Sequence, residues 1–325
     1  MSTTTTTTTT TAAASTVSKF LTNQSPFPTY FFSHGAPSFL YKSESFSNKG
    51  AYNKITQLGK NITSNLKPDF LLVVSAHWQS HGQNLIEIGY PFMSKTHENS
   101  LIYDFYGFPN YMYKEQFHTK NDLSLAKLIK EELINVGFNS EIVDRGLDHG
   151  VWVPLKIAFA NYNYENKIKR DDSKEFDLDI PVIQISLTSN DKDFDSHYKL
   201  GQILSKFKDN LVNIDGKELK GMIICSGMTV HNLRDISSSF NQPSQIMPYV
   251  KPFNQKLKQI LTKDDQSKIL QNLKDLKKDT MLFRAHPTLE HFLPLVVASG
   301  MNNKQIKEIY NDEFLSLGWG IYEFS

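Results

Sequence analysis

Histidines follow apolar runs or stand in turns at six places that span almost the whole chain. The chain has ten histidines and one cysteine, and imidazole is a preferred ligand of zinc and non-haem iron where thiolates are missing. Several apolar runs end in a histidine, so we expect the strands of one sheet to deliver metal ligands and a proton-transfer base to a single pocket. The pattern predicts a mononuclear metalloenzyme. The motifs are Ser33-His34-Gly35-Ala36-Pro37, Ser75-Ala76-His77-Trp78, Leu147-Asp148-His149-Gly150, Thr229-Val230-His231-Asn232, His286-Pro287 and Leu289-Glu290-His291-Phe292.

His34 and His77 are the strongest single candidates for metal ligands. Each stands at the end of a predicted strand, beside small residues such as Gly35 and Ala76 that let a metal or a substrate approach the backbone. Turns of small residues are also common without a function. The residues alone therefore leave a structural role open for both histidines.

Two further motifs place a carboxylate beside a histidine. Asp148 can orient His149 and raise its basicity, and it can also cap the helix that we expect from Val151 onward. We expect Glu290 and His291 at the start of another helix, where adjacent side chains point about 100° apart. One ligand is therefore expected from this pair, and we favour His291.

The remaining chemistry-bearing residues are expected to be structural. Cys225 with His231 would be a nucleophilic pair, but Cys225 lies within an apolar strand signal, where a thiol has a raised pKa and low reactivity. Ser226-Gly227 lacks the Gly-x-Ser-x-Gly pattern of a nucleophile elbow, and no glycine-rich phosphate loop is present in the sequence. A structural role is also expected for the four histidines that stand in polar or charged surroundings, which are His81, His97, His118 and His197.

The elements that must position these residues alternate between strand and helix. Such alternation indicates an α/β fold with helices on both faces of one central sheet, and ligands then bind outside the carboxyl ends of the strands. His34, His77 and His231 each follow a predicted strand. Strands are expected at 29–32, 69–75, 139–143, 180–187, 221–226 and 318–324. Helices are expected at 48–65, 123–136, 151–160, 198–207, 266–276 and 293–299, with Pro287 in the first turn of a short helix.

Composition narrows the class of protein. The 35 basic and 34 acidic residues leave the chain close to neutral, which argues against non-specific binding to nucleic acid or to an acidic membrane surface. No apolar run approaches the roughly 20 residues needed to span a bilayer. The single cysteine excludes an internal disulfide and fits a reducing compartment. Because the N-terminus also lacks the basic and apolar regions of a signal peptide, we expect a cytoplasmic protein.

Two segments are expected to lie outside the catalytic unit. Residues 1–24 include an unbroken threonine tract from Thr3 to Thr11, and such a segment cannot bury enough apolar area to become ordered. We expect a disordered tail there, followed by one catalytic domain over residues 25–325; a transit peptide is the alternative for the tail. The charged stretch from Tyr162 to Asp179 is expected to be a surface excursion without a catalytic role.

Taken together, the motifs resemble the class III extradiol ring-cleavage dioxygenases, and within them the 4,5-DOPA extradiol dioxygenase branch. The resemblance runs in order from about Tyr30 to the C-terminus, and the stretch from Tyr162 to Asp179 looks like an insertion relative to it. The motifs that carry it are Ser-His-Gly-Ala-Pro at 33–37, Ser-Ala-His-Trp at 75–78, Tyr-Asp-Phe-Tyr-Gly-Phe-Pro at 103–109, Leu-Asp-His-Gly-Val-Trp-Val-Pro-Leu at 147–155, His-Asn-Leu-Arg at 231–234 and His-Pro-Thr-Leu-Glu-His-Phe-Leu-Pro-Leu at 286–295.

The resemblance implies a three-layer α/β/α fold around a mixed sheet, with one metal ion, Zn²⁺ or Fe²⁺, per subunit. It places the metal on His34, His77 and His291. His231 is implied as a fourth ligand or as an acid/base, and His149 as a second acid/base or a substrate-binding residue. The candidates for aromatic residues that contact the substrate are Tyr103 and Trp152, together with Phe105, Tyr106 and Phe108. An ordinary role in the core is the alternative for each of them.

The implied reaction opens the aromatic ring of a DOPA-like catechol with O2 while a histidine takes a proton. Two other classes of function stay open. A zinc-dependent hydrolase would use metal-activated water instead of oxygen, and a non-catalytic binding protein would keep the pocket without the chemistry. Loss of chemistry usually removes a ligand or the base, and all five matched histidines are present, which favours an enzyme.

Overall fold

One large mixed sheet forms the centre of the fold. The structure is a computed structural model that describes residues 18–44, 46–160, 173–239 and 246–325. The strands are β1 (Phe20–Thr22), β2 (Thr29–Ser33), β3 (Phe70–Gln79), β4 (Leu85–Tyr90), β5 (Thr119–Lys120), β6 (Asn139–Asp144), β7 (Leu178–Leu187), β8 (Asn210–Ile214), β9 (Lys217–Leu219), β10 (Gly221–Gly227), β11 (Val230–His231), β12 (Ile306–Tyr310), β13 (Glu313–Phe314), β14 (Leu317–Gly318) and β15 (Ile321–Phe324). The helices are α1 (Lys49–Asn61), α2 (Leu123–Asn135), α3 (His149–Phe159), α4 (Phe194–Leu204), α5 (Lys206–Asp209), α6 (Leu233–Ser239), α7 (Val250–Thr262), α8 (Ile269–Asp275), α9 (Thr280–Ala285) and α10 (Leu293–Ser299).

The strand order of the central sheet is β12-β15-β2-β10-β3-β7-β4-β6, with β5 paired to β7. The inner strands β2, β10, β3 and β7 are parallel to one another. The outer strands break this pattern, because β15 pairs antiparallel with β2 and β4 pairs antiparallel with β7. The mixed sheet expected from the sequence is therefore confirmed. The parallel inner strands bring their carboxyl ends to one edge, where the histidine motifs lie.

Both faces of the sheet are buried. Along β3, Leu71 and Val73 join the core that includes α3, whereas Leu72 and Val74 join the core that includes α2, α4 and α10. A strand covered on both faces is a nearly continuous apolar run, and the sequence of this strand has that form. The layers are thus helix, sheet and helix, as expected.

Capping side chains set the start of four of the described helices, α1, α2, α4 and α9. Asn48 caps α1 by accepting a 2.8 Å hydrogen bond from the backbone N–H of Ala51, and Asp122 caps α2 by accepting one of 2.9 Å from that of Leu125. The prediction for residues 286–292 was wrong: Pro287 is not in a helix, and the segment forms bends and a turn before α10. Pro294 stands in the first turn of α10 instead, where its missing N–H leaves no hydrogen bond unmade.

The prediction that residues 1–24 form a disordered tail is wrong for the C-terminal end of this segment. Phe20–Thr22 forms β1, which pairs antiparallel with β8, and the Phe20 ring meets that of Phe207 edge to face, with 5.4 Å between centroids. The partner strand lies almost 200 residues later in the chain, so no local pattern could reveal it. Residues 1–17 lie outside the described residues.

The predicted excursion at 162–179 is described only from residue 173 onward. Its last two residues already belong to β7, and Asp177 accepts a 2.7 Å hydrogen bond from the backbone N–H of His118. Cys225 is fully buried in β10, and burial raises the pKa of its thiol. Within the described ranges, no helix combines the length and the apolar character that a bilayer crossing requires.

Candidate metal centre

Five histidines from distant parts of the chain meet at the carboxyl edge of the inner strands. His34 directly follows β2, His77 lies near the end of β3, and His231 ends β11. His149 is the first residue of α3, and His291 lies in the turn before α10. Parallel strand pairing causes this convergence, because β2 and β3 both flank β10 in the same direction.

The imidazole rings are close enough to share one ion. Nε2 of His34 lies 3.0 Å from Nε2 of His77, and the His291 ring centroid is 5.4 Å from that of His34 and 4.9 Å from that of His77. The ligand atoms of His34, His77 and His149 all lie within 4.8 Å of one another. Those of His231, Glu290 and His291 form a second such group beside it.

The Nδ1 of His34 is held by Ser226. The Ser226 hydroxyl donates to the backbone carbonyl of Gly150, so it must accept the 2.9 Å hydrogen bond from Nδ1–H of His34. This partner leaves the Nε2 lone pair of His34 directed at His77. Gly35 supports the turn with a φ of +61°, and a Cβ there would lie 2.2 Å from the Trp319 ring.

Asp104 holds two of the other histidines. Its Oδ2 lies 3.4 Å from Nδ1 of His77, and its Oδ1 lies 2.9 Å from Nδ1 of His149. The latter contact lies off the direction of a ring N–H and is mainly electrostatic, whereas the backbone N–H of His149 donates a 2.9 Å hydrogen bond to the same Oδ1. Burial alone would raise the pKa of Asp104, but the adjacent His149 and His77 outweigh burial and lower the pKa to about 2. The carboxyl group is therefore ionised.

Glu290 has the same relation to His291. Its Oε1 lies 3.0 Å from Nδ1 of His291, which again leaves Nε2 for another partner. The ring of His231 stacks on that of His291, with 3.5 Å between centroids and 16° between planes. Glu290 and His291 are adjacent in a turn rather than in the predicted helix. In this turn the side chain of Glu290 contacts the ring of His291.

Burial keeps four of these imidazoles neutral. Removal from water, together with the neighbouring histidines, lowers the pKa of His34, His77 and His291 well below the ordinary value. Burial, and then His286 and His149, lowers the pKa of His231 to about 3. The neutral form of imidazole is the one that binds metal ions.

The residues fit a divalent metal. Two Nε2 lone pairs that face each other at 3.0 Å repel unless a cation or a proton lies between them, and both can reach one ion at about 2.1 Å. Metal-binding histidines typically have the other ring nitrogen held by a carboxylate or a hydrogen-bond partner, which describes His34, His77 and His291 here. A cluster of histidines compatible with one metal site is therefore present.

A cavity of about 460 Å³ opens onto the cluster. Its lining includes four of the histidines and the carboxylate between them: His77, His149, His231, His291 and Asp104. Phe105, Tyr106 and Phe108, expected as pocket residues, all line it. We call the apolar side chains of the lining the apolar wall; they are Phe46, Phe105, Phe108, Leu233, Ile236 and Leu317.

Tyr103 and Trp152 lie elsewhere than the sequence led us to expect. Neither lines the cavity. Trp152 is fully buried and donates a 3.0 Å hydrogen bond to the carbonyl of Ile102, while the Tyr103 hydroxyl donates one of 2.6 Å to the carbonyl of Glu115. Both rings pack behind Phe105. This placement supports a role in holding the Phe105 segment rather than in touching a substrate.

The carboxylate beside His149 also differs from expectation. Asp148 is the N-cap residue of α3 but makes no side-chain capping hydrogen bond. It turns into the sheet instead, where it accepts hydrogen bonds from Ser75, at 2.7 Å, and from Gln184. Sequence reasoning missed Asp104 as the partner of His149. Its only signal in the sequence is its place within the 103–109 motif, among aromatic residues.

The histidines expected to be structural do not line the cavity. His197 is buried in α4 and its Nδ1 contacts the Asp193 carbonyl at 2.7 Å, and His81 is exposed. His286, from the fifth motif, contacts the carbonyl of Thr229 through Nε2 at 2.9 Å.

Comparison with known proteins adds independent information. The family model for the catalytic LigB subunit of aromatic ring-opening dioxygenase matches residues 28–322. A Schizosaccharomyces pombe protein named 4,5-DOPA dioxygenase extradiol-like protein is 31% identical over 309 residues, which cover 91% of this chain and 92% of that protein. The 4,5-DOPA dioxygenase extradiol of Beta vulgaris is 31% identical over 304 residues, 91% of this chain and 96% of that protein.

A solved structure supports the fold. The crystal structure of an uncharacterized protein from Escherichia coli K12 superposes with a TM-score of 0.64, covering 92% of this chain and 100% of that one at 23% sequence identity. At this identity the likeness concerns the α/β architecture alone.

Proposed function

The chain belongs to the LigB family of aromatic ring-opening dioxygenases, and from that membership we propose that it opens the ring of a catechol with O2 as an extradiol dioxygenase. The proposed substrate is DOPA-like in its ring, that is, a benzene-1,2-diol with a substituent at ring position 4; the nature of that substituent is a separate question. The carbon–carbon bond beside the diol breaks and both oxygen atoms of O2 enter a muconic semialdehyde type of product. The atoms and electrons balance without an external reductant.

One observation carries the proposal: five histidines cluster beside an ionised Asp104, and four of them line a cavity whose remaining lining is mainly apolar. We propose His34, His77 and His291 as metal ligands, with His231 as a fourth ligand or an acid/base. When bound, a divalent metal, Zn²⁺ or Fe²⁺, would supply Lewis acidity, and Fe²⁺ would also supply the redox chemistry that ring opening with O2 requires.

The residues of the chain have separate tasks in this proposal. His149 takes a proton from a catechol hydroxyl, because its ring lies 3.9 Å from that of His77 between centroids and faces the cavity. The Asp104 carboxylate stabilises the imidazolium that forms and keeps the ring in place. Phe105 and Phe108 flank the substrate ring and exclude water. Tyr103 and Trp152 support Phe105 from behind.

Two rival functions have specific tests. A zinc-dependent hydrolase would use the same histidines to activate water, and a binding protein would use only the cavity. Purified protein loaded anaerobically with iron, and separately with zinc, is given a panel of catechols and a panel of esters and amides. Oxygen uptake with a product about 32 mass units heavier than the catechol supports the dioxygenase. Hydrolysis by the zinc form, without oxygen uptake by the iron form, would contradict the dioxygenase and support the hydrolase. Catechol binding without either reaction would support the binding protein.

The remaining elements of the proposal concern partners and location. We propose a cytoplasmic enzyme that acts on a small molecule and O2 and that binds neither nucleic acid nor membranes. The near-neutral net charge and the single buried cysteine support this.

A further inference from the structure

The lining of the cavity is of two chemical kinds. Four histidines and Asp104 supply most of its polar part, and the apolar wall supplies most of the rest. The substituent at position 4 of a catechol points away from the two hydroxyl groups. When these hydroxyl groups face the histidines, the lining that is left for the substituent is mainly the apolar wall. The chemistry of this wall then decides which substituents are accepted.

The described residues of the wall offer no cation. Neither lysine nor arginine lines the cavity within the ranges that the structure describes. Arg145 lies behind His77, where it contacts Asp148 at 3.4 Å and stacks over Trp78 at 4.5 Å. Arg234 follows Leu233 in the chain but is exposed and does not line the cavity either.

The polar groups near the wall do not supply a counter-charge for an anion. Asp104 is itself an anion and is already in contact with His77 and His149. The buried hydroxyl of Ser38 lines the cavity without a hydrogen-bond partner in the described part of the chain. A hydroxyl can bond to a neutral oxygen, but it does not compensate a full charge that has been removed from water.

Resting on the proposed function, we propose that the enzyme selects catechols whose position-4 substituent is uncharged and largely apolar, such as an alkyl chain or an ester. Catechols with a carboxylate or a free amino acid group at the same place are disfavoured. Burial of an unpaired charge against Phe46, Ile236 and Leu317 is unfavourable, whereas burial of an alkyl chain there is favourable. Leu233 and Tyr106, which are 56% and 89% exposed, extend the same surface to the mouth.

The test uses substrates that differ in charge but hardly in size. These are 3-(3,4-dihydroxyphenyl)propionate and its methyl ester, with 4-propylcatechol and L-DOPA beside them. The iron-loaded enzyme is assayed for kcat/KM by oxygen uptake. The zinc-loaded protein is titrated with the same compounds without oxygen to give dissociation constants. We expect the ester and 4-propylcatechol to exceed the propionate and L-DOPA by about 10-fold or more in both measurements, since an uncompensated polar mismatch discriminates at least this strongly.

A substitution at the mouth of the cavity tests whether the missing cation is the cause of the selectivity. Leu233→Arg adds a cation at a half-exposed position of the apolar wall, and Leu233→Gln adds a neutral side chain as the control. The arginine variant should raise the propionate-to-ester ratio of kcat/KM several-fold, and the glutamine variant should leave that ratio close to the parent value.

The failures of the two proposals are distinguishable. Equal or better turnover and binding of the propionate would overturn the inference while leaving the dioxygenase in place. The basic residues of segment 161–172, or Arg234, would then be the first source of the missing cation to test. Absence of oxygen uptake with every catechol would overturn the proposed function. Preferential binding of the ester in that case would still support the selectivity of the cavity.

Discussion

The carboxylate of Asp104 lies 2.9 Å from Nδ1 of His149, although the two residues are 45 positions apart in the chain. The same carboxylate reaches Nδ1 of His77 at 3.4 Å. One side chain therefore connects a proposed metal ligand with the proposed base. We interpret Asp104 as a positioning residue that keeps both rings oriented toward the cavity.

Replacing Asp104 should impair the site without unfolding the protein. Asp104→Asn keeps the size of the side chain but removes its charge, so we expect kcat/KM or metal affinity to fall about 10- to 100-fold, as is typical for partners of metal-binding histidines. Metal content and turnover are measured on the same preparations. Asp215→Asn, at an exposed turn, is the matched control. Parent-like values for both quantities in Asp104→Asn would remove its positioning role.

The proposed ligands are tested by metal content. His34→Ala, His77→Ala and His291→Ala should each lower the metal-to-protein ratio measured by mass spectrometry, because each removes one Nε2 donor from the cluster. His81→Ala removes an exposed histidine and should leave the ratio unchanged. Full occupancy in all three cluster variants would rule out the assignment.

The proposed acid/base residues are tested by separating binding from chemistry. His149→Ala and His231→Ala should retain much of the metal, yet turnover should fall about 10²–10⁴-fold, the usual effect of losing a general acid or base. Circular dichroism checks that the variants are folded. Turnover at the parent level in both would end this proposal, and strong metal loss in His231→Ala would identify His231 as a ligand.

A buried ion pair anchors the segment behind the cavity. Lys156 Nζ lies 2.5 Å from Glu115 Oε2, and both side chains are almost fully buried. Lys156→Ala leaves a buried carboxylate without this partner, so we expect the free energy of unfolding to fall by about 3–5 kcal/mol. Lys278→Ala, which removes an exposed pair with Asp275, should change stability little. Equal melting temperatures for the two variants would show that the buried pair is not stabilising.

The N-terminal boundary is tested by two truncations. Deleting residues 1–17 should leave the melting temperature unchanged, because their composition offers little apolar area to bury. Deleting residues 1–24 removes β1 and the contact between Phe20 and Phe207, and should lower the melting temperature. Thermal unfolding of both truncated proteins decides whether the boundary lies at residue 24 or before Phe20.

The inner sheet and its histidines were predictable because they depend on local patterns. The strands β2, β3 and β10 are continuous apolar runs, and parallel strands bring the residues at their carboxyl ends to one edge of the sheet. His34 and His77 could therefore be assigned to one histidine cluster from the sequence. By contrast, β1 pairs with a strand almost 200 residues away, and no local pattern encodes such a partner.

Which groups touch each other at the site was decided by the tertiary structure. Asp148 is next to His149 in the sequence, but its side chain enters the sheet toward Ser75, because successive side chains at a helix start diverge. The carboxylate that contacts His149 belongs instead to Asp104, which lies in a separate loop. In the same way, Trp152 is held behind Phe105 rather than in the cavity.

The sequence by itself determined which residue types could do the chemistry and which strands carry them. Only packing in three dimensions decided their partners, because side-chain contacts between distant segments depend on how the layers are stacked.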